Sequence, residues 1–96
     1  MPSLSVTHNA AEQKFSAQLP DGEAFLRYAR RDTCLSFLHT FVPEAGRNKG
    51  VAEQVVLAGF QYAKAQGLQV IPTCQYVAQA FLRRHPEFQP LITSIC

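Results

Sequence analysis

The hydrophobic repeat of this chain changes period near Gly50, and that change limits the architectures open to it. Before it, Leu4, Val6 and His8 alternate with polar residues, as do Phe15, Ala17 and Leu19; Ala24–Ala29 and Cys34–Val42 are two further β-like runs. A period of two sends successive side chains to opposite faces of a sheet, so four strands are predicted. After it, Val51, Ala52, Val55, Val56, Gly59, Phe60 and Ala63 recur at three and four residues, the stripe of an amphipathic helix. Glu53, Gln54, Gln61 and Lys64 fall on its other face. Gly67 suits the position just past the helix end, and Gly59 predicts a close approach to the sheet.

Turn chemistry orders these pieces. Asn9–Glu12, Pro20-Asp21-Gly22 and Arg31-Asp32-Thr33 are short turn signals, so the first four strands form an antiparallel meander. Pro43 ends the fourth because it has no N–H for the ladder. Leu68–Pro72 reads as a fifth strand; following a helix, it can lie parallel to the fourth through a crossover. Thr73 is placed to cap a second helix that buries Val77, Ala78, Phe81 and Leu82, carries Arg83 and Arg84 at its end and stops at Pro86. Phe88–Cys96 is read as a last strand. The expectation is an α/β chain of mixed α+β type: an antiparallel meander followed by α-β-α, with two main helices and a mixed sheet, in one domain over residues 1–96.

Composition removes several functions. A net charge of +2 with dispersed basic residues does not suggest nucleic acid, and Arg30-Arg31 and Arg83-Arg84 read as solvated turn and helix-end charges. Recognition of nucleic acid through Arg27 and these pairs would show as a steep salt dependence. Cys34, Cys74 and Cys96 are odd in number and contain no C-x-x-C, which argues against a disulfide scaffold and a zinc knuckle. His8, His39 and His85 are scattered, so no metal site is expected. With no signal-peptide core after Met1-Pro2-Ser3 and no apolar run of membrane-spanning length, the default expectation is a cytoplasmic protein without membrane contact.

The segment with most chemical content is Arg47-Asn48-Lys49-Gly50-Val51-Ala52, between the fourth strand and the long helix. A basic, glycine-containing turn there leaves backbone N–H groups at the positive end of the helix dipole, where proteins hold phosphates. It is not a Walker A loop, because Lys49 precedes Gly50 and Val51 follows; nor does it hold the three glycines of a dinucleotide turn. What remains is R-x-x-G-x-A after a strand ending in Val-Pro.

That pattern resembles the pyrophosphate turn of the GNAT acyl-CoA N-acyltransferases, Arg/Gln-x-x-Gly-x-Gly/Ala, through Arg47, Gly50 and Ala52. His39-Thr40, Val42-Pro43, Val70–Val77 and Arg84-His85-Pro86-Glu87-Phe88 extend the likeness to the minimal, single-domain YjdJ-type acetyltransferases. The resemblance implies a GNAT-like fold and acetyl-CoA as acyl donor, with the diphosphate held by Arg47, Asn48, Lys49, Gly50, Val51 and Ala52. It further implies a pantetheine arm lying between the fourth and fifth strands, with Val42 and Tyr76 lining the cofactor. The acceptor would be an amine of a small molecule or protein. An open sheet edge in so small a domain leaves room for a homodimer.

For the chemistry, His39 is the base by residue type. The period of two puts it on one face with Phe37 and Phe41, which is equally the setting of a core histidine bonded to backbone. Cys74, at the start of a helix, is the second candidate: a proton relay, an acetyl-accepting nucleophile with His39 as its base, or a buried packing residue. Thr40 and Tyr76 are alternative polar contacts or acids. Related domains carry an acidic residue after His-Thr where this chain has Phe41, and a late tyrosine where it has Phe81 and Leu82. These departures leave open a non-catalytic acyl-CoA-binding or interaction module that retains the fold.

Overall fold

The computed structural model describes residues 6–19, 22–44 and 50–93. Alternating side chains build a five-stranded sheet in chain order: β1 (Thr7–Asn9), β2 (Lys14–Leu19), β3 (Gly22–Arg31), β4 (Cys34–Phe41) and β5 (Gln69–Ile71). The first four pair antiparallel, and β5 lies parallel to β4, with α1 (Val51–Gln66) between them in the chain. Leu4 and the Pro20-Asp21 part of the second turn lie outside the described residues. Asp32 takes a positive φ of 51° in the tight turn between β3 and β4, a conformation aspartate tolerates better than most residues.

One face of the sheet carries the core. Phe15, Ala17, Ala24, Leu26, Tyr28, Leu35, Phe37 and Val70 are buried there, and α1 covers them with Val51, Val55, Val56, Phe60 and Ala63. The predicted stripe is the buried stripe, except that Ala52 at its edge is half-buried. Gly59 lets helix and sheet meet: a Cβ there would stand 3.0 Å from both Leu26 Cδ2 and Phe37 Cζ. Gly67 ends α1 at φ 69°, its N–H donating to the carbonyls of Ala63 and Lys64.

Three expectations fail in the C-terminal part. Thr73 is not a cap: the following helix begins at Tyr76, with Gln75 at the cap position and no side-chain cap, and the Thr73 N–H donates to the Ile71 carbonyl. That helix, α2, is π-helical over Tyr76–Phe81 and α-helical over Leu82–Arg84. The Leu82 N–H reaches back to the Val77 carbonyl, and the wider turn buries Val77, Phe81 and Leu82 while Ala78 is exposed. Phe88–Cys96 is not a strand within the described residues: Pro86–Leu91 is a 3-10 helix that buries Phe88, after which Ile92 bridges Val70 and the Thr93 N–H donates to the Val70 carbonyl. Prolines 86 and 90 have no N–H to offer a ladder, which favours the helical path. Cys34 is disulfide-bonded, against the expectation for an odd cysteine set, and Cys74 is a free thiol.

Candidate functional site

The features of interest gather where β4, β5 and the starts of both helices meet. Pairing of β4 with β5 stops at Ser36 opposite Ile71, yet β4 continues to Phe41. Beyond that point the Cys74 N–H donates to the Phe37 carbonyl at 2.8 Å, and no strand of the described residues pairs with Leu38–Phe41 on that side. Among the described residues, β4 and β5 thus part company along the end of β4, leaving Leu38–Phe41 without a strand partner on that side.

At the head of α1, Gly50 adopts φ 76°, a left-handed conformation that favours glycine. A Cβ built there meets nothing within 4 Å among the described residues. The Gln54 N–H closes the first helical turn on the Gly50 carbonyl. A glycine cap has no side chain to compete for the first amide N–H groups, and these combine with the helix dipole to favour an anion. Val51 is buried, so it can offer a ligand only its backbone; Ala52 and Val42 are half-buried. Arg47, Asn48 and Lys49 lie outside the described residues.

The two proposed catalytic residues stand on opposite faces of the sheet. Arg27 pairs with His39, but the next residue, Tyr28, pairs with Phe37, so Leu38 is an extra residue bulged out of β4. The bulge reverses the alternation: His39 shares a face with Phe41 and the outward Arg27, not with Phe37 as a regular strand requires. His39 is exposed, so the core-histidine reading fails as well. Thr40, paired with the buried Leu26, turns to the helix side, where its Oγ1 lies 3.5 Å from Cys74 Sγ. The structure thus brings together Thr40 and Cys74 and separates both from His39, which removes His39 as a base for the Cys74 thiol. Tyr76 is half-buried nearby on α2, its phenol pushed up chiefly by burial and then by the charge of Glu53.

A second polar group ties the helices together behind this site. Glu53, in the first turn of α1, accepts from His85 at 2.7 Å and from Arg84 at 3.0 Å. The His85 hydrogen bond is the largest cause that lowers the Glu53 carboxyl, and its counterpart raises the His85 imidazole. Sequence reading placed Arg84 and His85 but not their partner, because Glu53 is 31 and 32 residues away from them in the chain, on the solvent side of a helical stripe. Phe25 and Lys14 were also missed as site residues; the signal for them is strand parity, which sets Lys14, Arg27 and His39 abreast on neighbouring strands.

Among the described residues no group of three or more His, Cys, Asp or Glu side chains converges to hold a metal, and no helix is long and apolar enough to cross a membrane. In fold, the chain is similar over its whole length to a GCN5-like protein from Staphylococcus aureus, solved in solution by NMR. The two superpose with a TM-score of 0.67 at 20% identity, covering 94% of that protein. The sequence profile of the GCN5-related N-acetyl-transferases matches residues 14–91, which span β2 to the end of the 3-10 helix and include the end of β4, Gly50 and Cys74. The chain therefore belongs to the GCN5-related N-acetyl-transferase family.

Proposed function

We propose that this protein transfers an acetyl group from acetyl-CoA to an amine. The observation that carries the reading is Gly50: a left-handed glycine that no described residue crowds, at the head of a long helix and, in sequence, directly after a basic segment. Amide N–H groups of Gly50, Val51 and Ala52 would bond the diphosphate, with charge from Arg47 and Lys49 and a polar contact from Asn48. The end of β4 through Val42 would accept the amides of the pantetheine arm, with Tyr76 alongside.

In the reaction an amine nitrogen forms a bond to the thioester carbonyl carbon, the carbon–sulfur bond breaks, and the thiolate leaves with a proton. His39, exposed on the outward face, would take the proton of the incoming ammonium. Cys74 and Thr40, in contact on the other face, would supply the departing sulfur with a proton. If Cys74 itself receives the acetyl group, its hydrogen-bond partner is Thr40. The acceptor is an amine of a small molecule or a protein, and the place of action the cytoplasm.

Thiol release over a panel of amines, together with calorimetric titration of coenzyme A, tests the reading. Gly50→Glu should weaken coenzyme A binding at least about tenfold, since a carboxylate then occupies the anion's place and a side chain takes a strained φ. His39→Ala should slow transfer and leave that binding intact. Unchanged binding in Gly50→Glu would discard the proposed turn. One observation favours a second reading, a binding module without turnover: Phe41 is a hydrophobic residue, 40% exposed, where an acid would orient a base. Coenzyme A binding with no acetylated amine would select it.

A further inference from the structure

On the sheet face away from α1, Lys14, Phe25, Arg27 and His39 line a cleft of about 210 Å³. Lys14, Arg27 and His39 are direct cross-strand neighbours on β2, β3 and β4, and Phe25 and Phe41 pair in the next row. Two like charges opposite one another on adjacent strands destabilise a sheet, so this placement works against folding unless something offsets it. Lys14 is offset: its ammonium is 3.0 Å from Glu12 and 3.0 Å from Glu23. Arg27 is not: its side chain has no ion pair or hydrogen bond among the described residues. Beside this guanidinium lies an aromatic wall, with the Phe25 ring 5.6 Å from Phe41 and 6.1 Å from His39.

An uncompensated arginine next to a half-buried and an exposed aromatic ring, Phe25 and Phe41, is complementary to an organic anion with a flat apolar body. We propose that this cleft binds such an anion, the carboxylate or phosphate pairing with Arg27 and the apolar part lying on Phe25 and Phe41. Resting on the function proposed above, the anion is carried by the acceptor amine itself. The register supports this, since Arg27 and His39 are cross-strand partners and a group held by one lies beside the other. A cation beside the acceptor nitrogen also favours its neutral, nucleophilic form. The Leu38 bulge is what turns His39 toward this cleft, and Phe41, in place of an acid, extends the aromatic surface next to Phe25.

The test titrates the whole protein, without coenzyme A, with phenylacetate, phenyl phosphate and neutral phenylacetamide, following backbone amide shifts. One or both anions should bind about tenfold or more tightly than the amide, with shifts at Phe25, Arg27 and His39, and the tighter of the two identifies the charge preferred. Arg27→Gln should erase the difference while the melting temperature holds or rises, because the like-charge row is relieved. Equal binding of anionic and neutral probes to the wild type, or an undiminished preference in Arg27→Gln, overturns the proposal. Acetyl transfer to phenylalanine and to phenylalaninamide separates the two levels. A preference for the free carboxylate of about tenfold, lost in Arg27→Gln, supports the acceptor role, and equal rates for the two amines overturn it. Anion binding without transfer to any amine leaves the cleft standing and removes the enzymatic reading.

Discussion

At the scale of single residues, two histidines respond to their surroundings in opposite ways. His85 is raised by its hydrogen bond to Glu53, whereas His8, hydrogen-bonded to the Tyr28 hydroxyl and stacked on Phe15, is lowered by burial. A raised histidine stabilises the fold below its ordinary value of 6.5 and loses that contribution as pH rises through the folded value. Glu53, lowered, contributes above its ordinary value of 4.5 and loses its contribution as pH falls through the folded one. The pair is therefore worth most between those ordinary values, and His8 acts in the opposite sense, favouring the fold above 6.5. Both partners are partly solvated, so screening holds the pair to less than about 1 kcal/mol. Comparing thermal melts of wild type and Glu53→Gln across pH isolates it: the wild-type advantage should be a few degrees near pH 6 and shrink as pH rises through the raised His85 value. A difference that grows toward alkaline pH would contradict the assignment. The chain displays both histidines; it does not display which carboxylate or phenol each will meet.

At the scale of elements, α1 shows how far periodicity reaches. Its stripe, its two ends and the close approach at Gly59 were all legible, because each follows from spacing or from the conformational freedom of glycine. Gly59→Ala would gain about 1 kcal/mol in helix propensity but press a methyl group into Leu26 and the fully buried Phe37 ring, at about 1–3 kcal/mol. A net loss of about 1 kcal/mol is expected, read as a lower urea midpoint with unchanged slope. β4 shows the opposite case. Nothing in Cys-Leu-Ser-Phe-Leu-His-Thr-Phe marks Leu38 as the extra residue, since the register of pairing with β3 decides it. One bulge is enough to exchange the faces of His39 and Thr40. α2 departs similarly, for its π turn follows from how Val77, Phe81 and Leu82 pack rather than from any local signal.

At the scale of the whole molecule, stability centres on the aromatic stack that joins sheet, helices and C-terminal turn. Phe60 meets Phe37 edge-on at 5.1 Å and stacks on Phe81 at 5.1 Å and Phe88 at 5.0 Å. Phe60→Ala should cost about 3–5 kcal/mol, a large share of the roughly 5–15 kcal/mol that holds a small domain together. Its unfolding midpoint in urea should fall accordingly, and a loss below about 1 kcal/mol would show that the core closes around the gap. The residue pattern alone determined the meander, the crossover to a parallel fifth strand, the limits of the long helix and the glycine at its head. Those features depend on side-chain alternation, backbone sterics and turn chemistry, all of which act over a few neighbouring residues. Tertiary structure alone decided the faces of His39 and Thr40, the partner of Cys74, the tie from Glu53 to His85 and the placement of Arg27 without an ion pair among the described residues. Each is a contact between segments far apart in the chain, set by sheet register and by packing between elements, which no local stretch of sequence contains.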